Sequence, residues 1–434
     1  QPVIGQIASI EKKKEKKNPP LLFNLAELQN ECSKRFKISP DETLKIAQEL
    51  YEKKLTTYPR TDARVLSTAV AKEIHKNLNG LMKYEPAVPF LQEIVSFGSH
   101  KGLVKTRYVN DKQITDHYAI IPTGQGMSAL NSLSWRSKAV YDVIVKRFLS
   151  IFYPAAVYQK VAITVKVKEE SFFASFKVLA EPGHLKVVGI PGAKNNTDGG
   201  NSDENTENMA SSQAFFEKIQ SLKKGMTLPI QGMEIKEGKT SPPKRYNSGS
   251  LILAMENAGQ LIEDEELRAQ IKGSGIGTSA TRGEILKKLF NNKYLALNKK
   301  TQIVTPTMLG EMIYDVVDHS VRSLLNPELT ASWEKGLTYV ADGDITSEEY
   351  MMKLDRFVSS RTEGVKGLNN QYQLRACYDR VAPFYKNEKT TSRSGQAKSG
   401  TKTGTKTGTK SSKKASTKNK YVLKSGGIKK CLKK

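Results

Sequence analysis

Over residues 161–178 the apolar side chains fall on every second position, whereas on both sides of that stretch they fall every third or fourth. Val161, Ile163, Val165 and Val167 alternate with Ala, Thr and Lys; after a Glu-Glu-Ser turn, Phe172, Ala174, Phe176 and Val178 repeat the pattern. A period of two buries one face of a pleated strand, so an antiparallel pair is expected here. From Leu21 to about Ser150, and again from Ser241, the spacing is helical. A chain that changes period in this way is neither all-helical nor all-strand, and the class expected is multidomain α+β.

The helical signals are local and specific. Asn24 caps a helix with Leu25, Leu28 and Phe36 inward. Ser39, with Pro40 next and Glu42 three residues on, forms a capping box for a helix whose stripe is Leu44, Ala47, Leu50 and Tyr51. Ser67 caps Thr68–Leu78, ended by Asn79-Gly80, and Ser134 opens a long helix stopped before Pro154. Ahead of these, Val3, Ile4, Ile7 and Ile10 read as a strand, followed by a lysine-rich turn. Leu228, Ile230, Met233 and Ile235 read as further strand. Helices are expected at 249–257, after a tight loop ending in Gly275-Ile276-Gly277, and near 306–317, 330–341 and 347–358. Residues 193–212 read as a flexible polar insertion. Order fades beyond about Ser360, into a low-complexity, lysine-rich tail.

The stretch with chemical content follows the Ser39 helix: Thr56-Thr57-Tyr58-Pro59-Arg60-Thr61-Asp62. Pro59 disfavours helix before it, so Tyr58 is expected on extended chain with Arg60 leaving on the same side. A deprotonated phenol is a nucleophile that keeps the energy of a broken phosphodiester in a phosphotyrosine ester, and a guanidinium can hold the non-bridging oxygens. A bare Y-x-R is short and weak, and by itself reads more readily as a half-buried aromatic beside a solvated charge.

Charge narrows the partner. The formal net charge is +25, of which +15 lies from Lys386 onward, in 15 lysines, one arginine and one glutamate. That points to nucleic acid, since no apolar run approaches the ~20 residues of a membrane span. The first residues lack a signal peptide, and three separated cysteines form neither a disulfide framework nor a zinc ribbon. Gly275-Ile276-Gly277 is not followed by the Lys-Ser/Thr of a nucleotide-binding loop. The consecutive acids Asp264-Glu265-Glu266 read as a solvated face rather than a metal cluster.

The Tyr58 stretch closely resembles the active-site segment of type IA DNA topoisomerases. Three further stretches fit that family in order: Asp116-His117-Tyr118-Ala119-Ile120-Ile121-Pro122-Thr123, Pro242-Pro243-Lys244-Arg245-Tyr246, and Gly275-Ile276-Gly277-Thr278-Ser279-Ala280-Thr281-Arg282. The likeness runs from about Gln1 to about Ser360, and Tyr-Pro-Arg is similar to the bacterial topoisomerase III branch. The resemblance implies a helical, Tyr-bearing domain (21–150) inserted in an antiparallel β arch (1–20 and 151–240). A helical base domain (241–360) and a largely disordered tail (361–434) follow.

It also implies a reaction: ATP-independent cleavage of one strand through a 5′-phosphotyrosyl link at Tyr58, strand passage and religation. Arg60 would stabilise the phosphate and His117 would position the strand. Thr57, Asp62, Arg245, Gly277, Thr278 and Arg282 would contact DNA, single-stranded or negatively supercoiled. The complete enzyme is expected to use Mg²⁺ held by an N-terminal domain whose D-x-D-x-E set does not occur here, so weak or no activity is expected of these residues alone. A monomer in the cytoplasm, at the nucleoid, is expected. The alternative is a non-catalytic single-strand-binding fragment with basic grooves and stacking aromatics. A tyrosine recombinase or a relaxase would want several Arg and His before its Tyr, or a close histidine pair, and neither occurs.

Overall fold

The computed structural model describes residues 3–114, 116–190, 219, 221–235, 237–261, 265 and 275–385, with nothing said of the side chains at 260 and 261. It is an α+β structure in which helices separate the first two strands of an antiparallel sheet. Strands β1 (Val3–Lys17), β2 (Ala156–Val167), β3 (Glu170–Glu181) and β4 (Thr227–Ile230) lie in the order β3-β2-β1-β4. Ile7, Val161, Ile163 and Ile219 form the buried centre of the sheet, with Val165, Phe176 and Val178 packed against it. The alternation legible in the sequence is thus that of the core face at Val161, Ile163, Val165, Phe176 and Val178, while Phe172 and Ala174 are exposed.

Two local expectations need correction. The turn joining β2 to β3 falls at Lys168-Glu169, not at Glu-Glu-Ser, because Val167 already pairs with Glu170. The lysine-rich stretch after Ile10 is strand rather than turn: β1 stays paired to β2 until Lys17 meets Ala156. β4 reaches only Val3–Gln6. The lysines therefore lie along a largely bare edge, where long charged side chains keep water contact and discourage strand addition.

Between Lys17 and Ala156 the chain folds into helices α1 (Leu25–Phe36), α2 (Pro40–Glu52), α3 (Thr68–Lys72), α4 (Ile74–Leu81), α5 (Val88–Phe97) and α6 (Trp135–Ser150). Leu28, Leu50, Leu78, Ile144 and Phe148 belong to one core. The caps are made as the residue types demand: Asn24, Ser39, Ser67 and Ser134 each accept a backbone N–H three residues on. The Ser39 box is only half made, because the Glu42 carboxylate turns to Arg136 at 2.7 Å. The Ser67 helix breaks at Glu73 into α3 and α4, and Gly80 lies inside α4 rather than ending it. Gly80 is needed there for a close approach: a Cβ would stand 2.2 Å from the Gly124 carbonyl oxygen.

After β3 come the single turn α7 (Leu185–Val188) and β4. Helix α8 (Ser248–Glu256) is then opened by a capping box of Asn247 and Ser250. Gly249 lets α8 press on α1, since a Cβ would lie 2.5 Å from the Asn30 Cα. Then follow α9 (Arg282–Asn291), the hairpin β5 (Leu295–Leu297) with β6 (Val304–Pro306), and helices α10 (Met308–Ser320), α11 (Pro327–Asp342), α12 (Ser347–Lys366) and α13 (Gln371–Val381). Order does not fade at Ser360: α12 runs on to Lys366, and α13 buries Cys377. The insertion at 193–212 and the chain from 386 onward lie outside the described residues. Among the described residues no helix is long and apolar enough to cross a membrane.

Candidate active site

Tyr58 is held by two chain segments laced together. Helix α2 stops when the Lys54 N–H donates to the Tyr51 carbonyl at 2.8 Å and the Leu55 N–H to that of Leu50 at 2.9 Å. Leu50 and Leu55 are both buried, which completes a Schellman stop. Its left-handed position is filled by Lys54, φ 61°, where a side chain costs about 1 to 2 kcal/mol relative to glycine. The Thr57 N–H then donates to Ile121 O at 3.0 Å. The Thr57 hydroxyl donates to Ala119 O and accepts the Ile121 N–H, both at 3.0 Å. Thr61 repeats the device, donating to His117 O at 2.8 Å and accepting the Ala63 N–H at 3.1 Å. With Pro59 buried between them, residues 55–63 and 117–123 form one stiff platform.

That platform brings Tyr58 and His117 together, with ring centroids 4.4 Å apart and planes tilted 44°. Tyr51 meets the other side of the Tyr58 ring edge-on at 5.3 Å. The three rings line an open cleft of about 540 Å³ with Lys54, Tyr118 and Gln125. Tyr58 is half-buried and His117 exposed, so both the nucleophile candidate and its neighbour are reachable from solvent. Burial lifts the Tyr118 phenol above the usual tyrosine range, which suits it to a neutral wall. Arg60 is exposed two residues from Tyr58 and is not among the residues lining the cleft.

Other expected contacts are reassigned by burial and partners. Thr57 lines the cleft too, and its hydroxyl both donates and accepts within the protein, so it holds the loop. Arg282 is not a surface arginine: it is 1 % exposed. Its guanidinium donates to Asp62 at 3.0 Å and to Ile276 O at 3.2 Å, and stands 4.0 Å from Glu256. Asp62 thus ties the Tyr58 loop to α9. Asn24 completes the cluster, donating to Asp62 O at 3.1 Å and to the Glu256 carboxylate at 2.6 Å. Burial pushes the Glu256 carboxyl above its ordinary value, while Arg282 and Asn24 pull it back.

Gly275 and Gly277 sit at φ 64° and 67°, the left-handed backbone that the tight loop needs. Two of that loop's donors are already used, Ile276 N–H on Met255 O and Thr278 N–H on the Thr281 hydroxyl, both at 2.8 Å. The helix after the loop begins at Arg282. Arg245 and the Thr278 side chain are exposed, outside the cleft lining. Glu265, the described member of the acidic run, is also exposed. Among the described residues no three His, Cys, Asp or Glu side chains are grouped so as to hold a metal, so these residues do not fit a Mg²⁺ ion.

Sequence reasoning overlooked Lys54 and misplaced Tyr51, which looks inward by helical spacing but edges the cleft. The Asn24–Glu256–Arg282–Asp62 cluster was also missed. Its members are scattered along the chain, and the unusual signal available was an arginine one turn behind a glycine loop.

A family model described as DNA topoisomerase matches residues 3–352. The chain is 33% identical over 373 residues to DNA topoisomerase 3 of Bacillus subtilis, covering 85% of this chain and 48% of that protein. It is 31% identical over 371 residues to DNA topoisomerase 3 of Bacillus licheniformis, with the same coverage of 85% and 48%. It thus spans about half the length of the curated relatives it matches. In three dimensions it is similar to full-length topoisomerase I from Thermotoga maritima, with a TM-score of 0.57 and 22% identity, covering 82% of this chain and 52% of that one.

Proposed function

The chain belongs to the type IA DNA topoisomerase family, and on that premise we propose that Tyr58 is the nucleophile of a strand-cleaving transesterification on single-stranded or negatively supercoiled DNA. The phenolic oxygen attacks a backbone phosphorus, an O–P bond forms to tyrosine, and the bond to the 3′-oxygen breaks. The phenol gives up its proton and the leaving 3′-oxygen takes one up. A second strand passes, and the 3′-hydroxyl reverses the exchange without ATP. Charge develops on the non-bridging oxygens during both steps, and Arg60 is the guanidinium near enough in sequence to meet it. His117 positions the scissile strand, while Arg245, Gly277 and Thr278 meet its backbone elsewhere. The protein acts as a monomer in the cytoplasm at the nucleoid. The Mg²⁺ expected of the complete enzyme belongs to residues beyond those described here, and the chain alone is expected to be weak or inactive in relaxation.

The observation that supports this most is the Tyr58–His117 pair, 4.4 Å apart in a solvent-open cleft on a loop that five threonine hydrogen bonds keep stiff. A packing tyrosine would sit in the apolar core instead. The test is trapping: the chain is incubated with a labelled single-stranded oligonucleotide and quenched with denaturant, and a covalent product is sought at Tyr58. Tyr58→Phe should abolish any adduct and leave strand binding intact. Because the chain spans about half the length of its relatives, the trial is repeated with a full-length relative carrying the matching tyrosine. Strand binding with no adduct in either would favour the fragment that holds single strands without cutting them.

A further inference from the structure

A polyanion that reaches Tyr58 must enter its cleft, and among the described lining residues the single lysine or arginine is Lys54. The left-handed backbone of Lys54 is not in itself informative, because Lys37, Lys168 and Lys293 share it. The Lys54 N–H donates to Tyr51 O at 2.8 Å, and its carbonyl accepts the Thr123 hydroxyl. Lys293 is clamped in the same way, through Phe290 and Thr307, so what sets Lys54 apart is the cleft its side chain lines. Behind Lys54, Gly126 lies so close that a Cβ would stand 2.1 Å from Lys53 O. From this fixed backbone the side chain lines the cleft that Tyr58 and His117 share.

The electrostatics call for a cation here. The C-terminal end of α2 forms one wall of the cleft through Tyr51 and Glu52, and a helix C-terminus carries partial negative charge that opposes a phosphate. Glu52 adds a carboxylate, which accepts the Gln48 amide at 3.1 Å. Lys54, exposed and at the end of the same helix, offsets both. We propose that Lys54 is a phosphate-binding residue of this site: its ammonium pairs with a backbone phosphate of a single strand laid across the cleft, next to the one presented to Tyr58. This rests on the reading of Tyr58 given above.

Binding of a labelled oligothymidylate single strand to the 434-residue chain, followed across a salt series, tests it. Lys54→Gln and Lys54→Gly should both bind about three- to tenfold more weakly at low salt. Their log-log salt dependence should be shallower by about 0.7, the loss of one phosphate contact on a single strand. Lys54→Gly relieves the left-handed strain, so loss of fold is no explanation for its effect. Lys54→Arg should restore both slope and affinity. The basic tail contributes equally to every variant and cancels. Unchanged slope and affinity in the Gln and Gly variants, with the parent chain binding normally, overturn the assignment of Lys54 and leave Tyr58 untouched. A parent chain that does not bind the strand at all overturns the Tyr58 reading together with this one.

Discussion

Arg282 has nearly every atom out of water and faces two carboxylates, Asp62 and Glu256. Removing it leaves Glu256 buried without its cation, so Arg282→Met should cost about 3 kcal/mol in denaturant unfolding. The cost carries a pH signature. The Glu256 carboxyl is already lifted by burial, and losing Arg282 lifts it further, so the variant regains stability as pH falls and Glu256 takes a proton. A penalty that is the same at pH 5 and pH 8 would show that Glu256 is not the group left unpaired. This residue also marks the limit of what a sequence discloses. Tyr58, Pro59 and His117 announce themselves through short-range rules, whereas the Arg282–Asp62 contact joins residues 220 positions apart, beyond the reach of any local pattern.

At the scale of elements, the most exacting joint is the one between α4 and the loop that carries His117. Gly80 sits so near Gly124 that an added methyl group would overlap its carbonyl oxygen at 2.2 Å. Gly80→Ala should therefore destabilise the protein by about 2 kcal/mol or more and push residues 119–124 away from Thr57. The expected readouts are a lower unfolding midpoint and faster amide exchange at Thr57 and Ile121, and normal exchange at both would contradict the joint. Helix caps and the strand period were legible in the sequence because Asn24, Ser39, Ser67, Ser134 and the Val161–Val167 alternation act on their own neighbours. The length of β1 was not, since lysines read as turn or tail until β2 arrives to pair with them. The outward placement of Tyr51 was likewise hidden, because one residue past the core stripe looks the same on a helical wheel.

At the scale of the molecule, the sheet and the helical unit meet at His184, which is buried with its Nδ1 lacking a hydrogen-bond partner among the described residues. Burial, with help from Lys17, holds its pKa below the ordinary histidine value. The unfolded chain thus takes up this proton first as pH falls. Stability contributed by neutral His184 is complete above about pH 6.5 and is lost as pH drops through the lower folded value. Unfolding curves between pH 7.5 and 5 should show this decline, and His184→Gln should flatten it. An equally steep decline in the variant would assign it to other groups.

The register of β1 against β2 has one more consequence. Lys17 and Ala156, where the chain leaves the sheet and where it comes back, are direct partners. Everything from α1 to α6 is consequently a side branch on a two-thread stem, tied elsewhere by the apolar packing of α1 on α8 and α9 around Ala26, Ile252, Met255 and Leu286, and by polar contacts of Ser33 with Ser248, Asn24 with Glu256, and Asp62 with Arg282. A severed strand end esterified to Tyr58 would travel with that branch. Undoing that one packed contact and its polar bonds while the stem bends would part the two ends without tearing any sheet.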